Sequence, residues 1–139
     1  MLDYVNWFRH STPYINQHRD CTFVLLLPGE AMIHANFNNI IHDIMLLNSL
    51  GVRLVLVHGS RPQIEERLAL RGIRSQYHND LRVTDIDTLS CVIDAVGSLR
   101  IAIEARLCAQ QSGSRLRVVS GNLVTAKPIG VVDGVDFHH

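Results

Sequence analysis

The order of apolar and polar residues along the chain predicts alternating strands and helices. Residues 23–27 and 54–57 are apolar runs of strand length, the second within a predicted strand over residues 52–57, and a glycine turn follows each of them. Between these runs, residues 36–50 carry apolar side chains at helical spacing on one face, and Gly51 ends the pattern. This order of elements favours a parallel sheet with right-handed crossovers and helices on both faces.

The second glycine turn leads directly into a helix and is the best candidate for a ligand site. Gly59 ends the strand, Ser60 is predicted to cap the helix, and Gln63 completes a capping box with Ser60. The free backbone N–H groups at such a helix start suit a carboxylate or a phosphate. A similar turn at Gly29 follows the first strand, so we expect the two turns to share one crevice.

The N-terminal segment has a helical pattern over residues 3–19, which Pro13 is predicted to kink or divide. Ser11 or Thr12 is expected to cap its second half. Two interpretations stay open: a helix folded back on its own domain, or an arm that packs on another subunit. Large aromatic side chains are typical anchors of such an interface, and those in this segment include Trp7, Phe8 and Tyr14.

The rest of the chain contains a long helical pattern between shorter segments. Residues 74–81 indicate a loop or a short edge hairpin, and Thr84 or Asp85 is predicted to cap the long helix that follows. Residues 115–119 and 123–126 are predicted to be paired strands joined by a tight turn. The C-terminal tail, rich in glycine and aspartate, predicts another short hairpin. The whole pattern builds only half of a doubly wound sheet, which favours a fragment of a larger fold.

Composition excludes several classes of function. The 139 residues fit one domain, and the formal net charge of zero gives no bulk attraction to nucleic acid or to an anionic membrane. The longest apolar run is far below the roughly 18 residues of a membrane span, and no signal-like leader is present, so a cytoplasmic protein is expected. Cys21, Cys91 and Cys108 lack metal-ligand spacing and are predicted to be buried free thiols; no metal site is expected.

Several motifs, in their order and spacing, resemble the amino acid kinase fold: F-V-L-L-L-P-G-E-A, L-V-L-V-H-G-S-R-P-Q-I and L-R-V-T-D-I-D-T-L. Together with W-F-R-H-S-T-P-Y-I-N-Q-H-R and V-V-S-G-N-L-V-T-A-K-P-I-G-V-V-D-G-V-D-F, they are similar to the N-terminal part of the bacterial N-acetylglutamate synthase family. The resemblance implies an α/β fold, a three-layer α/β/α sandwich of the carbamate kinase-like type, present only as its N-terminal portion. It implies a helical arm over residues 1–20 and a kinase-like domain over residues 21–139, without the GNAT acetyltransferase domain.

In that family, the kinase-like domain assembles subunits, in part through the N-terminal helix, and binds arginine as a feedback inhibitor. A separate GNAT domain transfers the acetyl group of acetyl-CoA to glutamate, the first step of arginine biosynthesis. The resemblance therefore implies a non-catalytic regulatory segment that holds no cofactor itself, forms homo-oligomers through the arm and has L-arginine as a possible effector.

The departures from the kinase pattern bear on activity. The kinases carry a lysine before the first glycine turn, where this chain has Leu26, and Pro28 replaces a glycine. Phosphoryl transfer depends on positioned positive charge, which leucine cannot supply. Arg82 matches the arginine that holds a substrate carboxylate in the kinases, although a structural role fits it as well. The alternatives are an ATP-dependent acetylglutamate kinase using magnesium, and a standalone arginine-sensing or oligomerisation module. The candidate ligand-binding residues are Gly29, Gly59, Ser60, Arg61 and Arg82, and no catalytic residue is expected.

Overall fold

The computed structural model describes residues 2–109, 116–121 and 123–138. The helices are α1 (Leu2–His18), α2 (Gly29–Ile33), α3 (Phe37–Ser49), α4 (Arg61–Leu70) and α5 (Ile86–Cys108). The strands are β1 (Thr22–Leu27), β2 (Arg53–His58), β3 (Gln76–His78), β4 (Leu81–Val83), β5 (Val131–Val132) and β6 (Val135–Asp136).

Strands β1 and β2 form the predicted parallel pair, with α3 as the crossover between them. Side chains alternate between the two faces of this sheet, as its period of two requires. One face packs on the core and carries Leu25, Leu27, Leu54 and Leu56. The other face is exposed and carries Val24, Leu26, Val55 and Val57. Among the described residues, helices therefore cover one face of this sheet rather than the predicted two.

Helix α5 connects two clusters of buried side chains. One cluster lies among β1, α2, α3 and the second half of α5, and its buried members are Leu27, Met32, Phe37, Ile41, Ile44, Met45, Ile103 and Leu107. The other joins α4 to the first half of α5 through Ile64, Leu68, Cys91 and Ala95. Arg67 Nε also lies 3.0 Å from Asp94 Oδ2, which links the same two helices. The position of α4 is therefore fixed by α5.

Local capping sets the start of α5, as one of the two sequence alternatives predicted. The Asp85 carboxylate accepts a hydrogen bond from the backbone N–H of Thr88 at 2.8 Å. That hydrogen bond lowers the pKa of Asp85. Cap and carboxylate charge both stabilise the helix N-terminus.

The two short hairpins are docked on each other. The β3–β4 turn has positive φ at Asn79 and Asp80, 49° and 62°, as a two-residue hairpin turn of primed type requires. The predicted C-terminal hairpin is β5–β6. Phe137 follows it with 1% of its surface exposed, and its carbonyl accepts the Thr84 N–H at 3.2 Å. The Phe137 ring also lies edge-on to His78, with centroids 6.1 Å apart.

Helix α1 is continuous through Pro13, so the predicted division of the segment is wrong. Ser11 Oγ donates to the carbonyl of Trp7 at 3.0 Å, and Thr12 Oγ1 donates to the carbonyl of Phe8 at 3.2 Å. Both hydroxyls thus return to the preceding turn of the same helix instead of capping a new one.

Two further predictions are corrected. Residues 116–119 and 123–126 are irregular rather than paired strands. Leu116 and Val118 pack, partly buried, against the core. Residues 115 and 122 lie outside the described residues. Cys91 is buried as expected, whereas Cys21 and Cys108 are exposed.

Within the described part of the chain, no helix has the length and apolarity to cross a membrane.

Candidate functional site

The two glycine turns meet, as predicted, and they touch each other directly. The Gly59 N–H donates to the Leu27 carbonyl at 2.8 Å, which continues the β1–β2 pairing into the turns. A Cβ on Gly59 would lie 3.1 Å from the backbone nitrogen of Gly29, and a Cβ on Gly29 would lie 2.7 Å from Pro62 Cδ. Glycine is therefore required here for close backbone approach. Between Gly29 and Pro62 there is no room for even a methyl group.

The start of α4 is stabilised by a long-range contact instead of the predicted capping box. Ser60 occupies the cap position, but its side chain makes no capping hydrogen bond. The Gln63 amide donates from Nε2 to the Gly29 carbonyl at 2.8 Å, across 34 residues of sequence. This hydrogen bond ties the first turn to the helix that begins at the second.

Arg61 and Arg82 are brought together by a residue that the sequence did not single out. The guanidinium carbons of both arginines lie 4.8 Å from the centroid of the Tyr77 ring, within cation–π range. Arg61 Nε also donates to Tyr77 Oη at 3.4 Å. These two arginines belong to a group that we call the Tyr77 cluster, made of Arg61, Glu65, Ser75, Tyr77 and Arg82.

Glu65 is the acceptor at the centre of the Tyr77 cluster. Its carboxylate accepts hydrogen bonds from Tyr77 Oη at 2.6 Å and from Ser75 Oγ at 2.7 Å, and it lies 2.8 Å from Arg82 Nη2. Arg82 Nη1 donates to Ser75 Oγ at 2.5 Å, and only 11% of the Arg82 side chain is exposed. The charge of Arg82 is therefore compensated inside the protein.

Two opposing effects set the pKa of Glu65. Burial raises it, but the hydrogen bonds from Ser75, Tyr77 and Arg82 and the charge of Arg82 together outweigh burial and lower the pKa from 4.5 to about 2. Glu65 is therefore a carboxylate across the neutral range.

Sequence reasoning missed Glu65, Ser75 and Tyr77. Glu65 follows Arg61 by four residues, a spacing that places both on one face of a helix and could have indicated that they lie close together. Ser75 and Tyr77 are two apart on an extended segment, so they share a side of it. No local signal connects that segment to α4, because the contact depends on how the hairpin packs.

The remaining candidate residues lie away from this cluster. Leu26 is on the outer face of the β1–β2 sheet with 73% of its surface exposed. The aromatic residues of α1 are also exposed: Trp7 by 64%, Phe8 by 55% and Tyr14 by 68%. Within residues 2–109, 116–121 and 123–138, no group of three or more histidine, cysteine or acidic side chains is placed to hold a metal ion.

Comparison with known proteins gives one consistent result. Residues 22–131 match the amino acid kinase family. The chain is 69% identical to an amino-acid acetyltransferase of Pseudomonas paraeruginosa and 67% identical to that of Azotobacter vinelandii; in each case the match covers 100% of this chain and 33% of the relative. A crystal structure of N-acetylglutamate synthase from Neisseria gonorrhoeae, complexed with coenzyme A and L-arginine, superposes with a TM-score of 0.82 and 40% identity, over 96% of this chain and 32% of that one.

The chain thus spans about a third of the length of the relatives it matches. Its similarity to N-acetylglutamate synthases was predicted from the motifs and is confirmed, as is the amino acid kinase fold of the N-terminal part. The family match covers most of the described core, from β1 to the C-terminal hairpin, and the chain therefore belongs to the amino acid kinase family.

Proposed function

We propose that this chain is a regulatory and assembly segment of an N-acetylglutamate synthase and catalyses no group transfer itself. The parent reaction would convert acetyl-CoA and L-glutamate to N-acetylglutamate and CoA. Its acetyl-CoA would bind outside this segment. The similarity of the whole chain to amino-acid acetyltransferases supports this assignment.

The observation that carries the non-catalytic role is the direct contact between the two glycine turns. A phosphoryl donor would need open space and positive charge at this place. Gly29 packs against Pro62 without room for a methyl group, and Leu26 offers an aliphatic side chain on the far face of the sheet. Arg82 is paired with Glu65. These features disfavour the alternative of an acetylglutamate kinase using ATP.

L-Arginine is the effector that we propose. The Neisseria relative is complexed with L-arginine, and its similarity extends over nearly all of this chain. Gly29, Gly59, Ser60, Arg61 and Arg82 remain the candidate ligand residues of this segment.

The proposed assembly element is the arm of residues 1–20. Helix α1 exposes its aromatic side chains and is joined to the domain at its C-terminal end, where the Asp20 N–H donates to the Gly51 carbonyl at 2.9 Å. Deletion of residues 1–20 is expected to reduce the mass measured by light scattering, because the aromatic anchors are lost. An unchanged mass would reject the assembly role.

Activity is tested by incubating the purified chain with ATP, Mg²⁺ and N-acetyl-L-glutamate, with a functional acetylglutamate kinase as the positive control. We expect no ADP above the enzyme-free blank, and turnover would overturn the proposal.

Calorimetric titration with L-arginine tests the effector, with L-lysine as the matched cation. Saturable binding of arginine alone is expected, and equal heats for both would refute the effector role. The alternative of a standalone sensor would be favoured if the chain binds L-arginine, turns over no ATP and proves to be a complete protein.

A further inference from the structure

One face of the β1–β2 sheet has no cover among the described residues. Its apolar side chains are 44–73% exposed and lie side by side in the register of the parallel pair: Val24, Leu26, Val55 and Val57. Strands of a parallel sheet are normally buried on both faces, usually by helices. This surface, which we call the outer face, is therefore one that an apolar helix would cover.

Helix α1 is an apolar helix without a packing partner among the described residues. Its apolar side chains follow the spacing of three and four residues that places them on one side of a helix: Tyr4, Trp7, Phe8, Tyr14 and Ile15. We call these five residues the aromatic stripe. Its four aromatic side chains are more than half exposed. Neither buried cluster of the described chain includes a residue of α1.

The connection between α1 and β1 is held in one conformation. Asp20 has a left-handed backbone conformation, with φ at 64°, and its N–H donates to the Gly51 carbonyl at 2.9 Å. Arg53 Nη2 donates to the Asp20 carbonyl at 2.5 Å, and the Arg53 N–H donates to the Cys21 carbonyl at 2.9 Å. Moving α1 onto the outer face of its own sheet would require a different backbone at Asp20 and would break these hydrogen bonds. The aromatic stripe is therefore placed to meet a second copy of the chain.

The areas of the two surfaces distinguish the ways in which two copies could pair. Two outer faces packed on each other would bury about 500 Å², well below the roughly 1,000 Å² of a specific interface. Two aromatic stripes packed on each other would bury about 1,000 Å² and leave both outer faces bare. If α1 of each copy covered the outer face of the other, about 1,500 Å² would be buried, which is the size of a stable interface.

We propose that two copies of this chain exchange their N-terminal helices, so that the aromatic stripe of each copy packs on the outer face of the other. The inference rests on the proposed assembly role of the arm and names the surface that the arm meets. Each copy contributes the same helix and the same sheet face, so the interface is two-fold symmetric and closes at a dimer.

The test compares the unchanged chain with Val24→Lys on the outer face and with Ile93→Lys on α5 as the matched control. Val24 is 66% exposed and Ile93 is 64% exposed, so either lysine reaches water in a single copy. Only the lysine at position 24 would be buried under a docked helix, where an unpaired charge is costly. Light scattering measures the mass, and the fluorescence of Trp7, the single tryptophan of the sequence, reports whether the stripe is covered.

We expect the unchanged chain and Ile93→Lys to be dimers with blue-shifted Trp7 emission. Val24→Lys should raise the dissociation constant of the dimer by about 100-fold or more, and the Trp7 emission should shift to the red as the dimer separates. Circular dichroism checks that each variant is folded. Val57→Lys, on the neighbouring strand of the outer face, replaces Val24→Lys if that variant does not fold.

Mixing two defective variants tests whether the helix meets the sheet. The double change Trp7→Ala with Phe8→Ala has a defective stripe and an intact outer face, whereas Val24→Lys has the reverse. Each alone should be a monomer. Their mixture should form a heterodimer at higher concentration, because one of the two contacts is intact. The Trp7 emission, which then comes only from the Val24→Lys chain, should shift to the blue on mixing.

Three results would overturn the inference. A Val24→Lys variant that stays dimeric would mean that the stripes pack on each other. A dimer that persists without the rings of Trp7 and Phe8 would mean that the outer faces pack together. An unchanged chain that is monomeric at every concentration would mean that neither surface binds a second copy.

These outcomes are separable from the test of the proposed function. Deletion of residues 1–20 asks only whether the arm assembles the protein. If that deletion lowers the mass and Val24→Lys does not, the arm keeps its assembly role and the outer face is wrong as its partner surface. If the deletion leaves the mass unchanged, the assembly role itself fails.

Discussion

The Tyr77 cluster and helix α1 differ in how many of their side chains have partners within the chain. In the cluster, Glu65 accepts from three side chains and Arg82 is almost fully enclosed. Along α1, aromatic rings such as Trp7 and Tyr14 are largely exposed. Polar groups that find partners within the chain contribute to its own stability. Large exposed aromatic side chains mark a surface that a partner can bury.

The largest effect is expected on the packed side of this comparison, from Phe137→Ala. Phe137 is 1% exposed, its ring lies edge-on to His78 of β3, and its carbonyl accepts the N–H of Thr84, the residue after β4. Loss of its ring should lower the free energy of unfolding by about 3–5 kcal/mol through lost burial and the cavity left behind. Urea denaturation followed by circular dichroism measures this change. A loss below about 1 kcal/mol would show that the docked hairpin adds little to the fold.

A smaller loss is expected for Gly29→Ala at the contact between the glycine turns. The new methyl group would meet Pro62 Cδ at 2.7 Å and the Arg61 backbone nitrogen at 3.1 Å, so overpacking should cost about 1–3 kcal/mol. Gly97→Ala is the matched control, because no atom lies within 4 Å of a Cβ placed there. Within a helix, that change should instead stabilise by about 0.5–1 kcal/mol. The same sign for both variants, measured by thermal unfolding, would refute the tight contact.

Next in size is Glu65→Gln, whose effect depends on pH. Because the pKa of Glu65 is about 2 in the folded chain and 4.5 ordinarily, its contribution to stability is complete above about pH 4.5 and disappears as the pH falls through 2. At pH 7 we expect a loss of about 1–2 kcal/mol, since part of the interaction is screened by solvent. Urea denaturation at several pH values should show the two proteins converging in acid. A difference that does not change with pH would contradict the ion pair.

The smallest effect on stability is expected on the exposed side, from Trp7→Ala combined with Phe8→Ala. These side chains are 64% and 55% exposed, so the free energy of unfolding should change by no more than about 0.5 kcal/mol. The particle mass from light scattering should nevertheless fall, if the arm is an assembly surface. A stability loss as large as that of Glu65→Gln, with no change in mass, would place these aromatics inside the domain.

The sequence alone determined the features that depend on neighbours along the chain. Continuous apolar runs predicted β1 and β2, and the spacing of apolar residues predicted α3. Thr84 or Asp85 was predicted to cap α5, and Asp85 does so. Each follows from a periodicity or from a side chain that hydrogen-bonds a backbone group three residues away. The glycine turns also followed from the sequence, since an apolar strand that must end sharply requires such residues.

Only the tertiary structure decided which partner each polar group takes. Gln63 fits a local capping box. Its side-chain amide instead donates to the Gly29 backbone carbonyl, 34 residues away, because the two turns pack together. Glu65, Tyr77 and Arg82 lie on α4, β3 and β4. No local sequence pattern predicts that the β3–β4 hairpin brings them within hydrogen-bonding distance. Propensity and periodicity act over a few residues, whereas the energy of these contacts is available only after the chain has brought distant segments together.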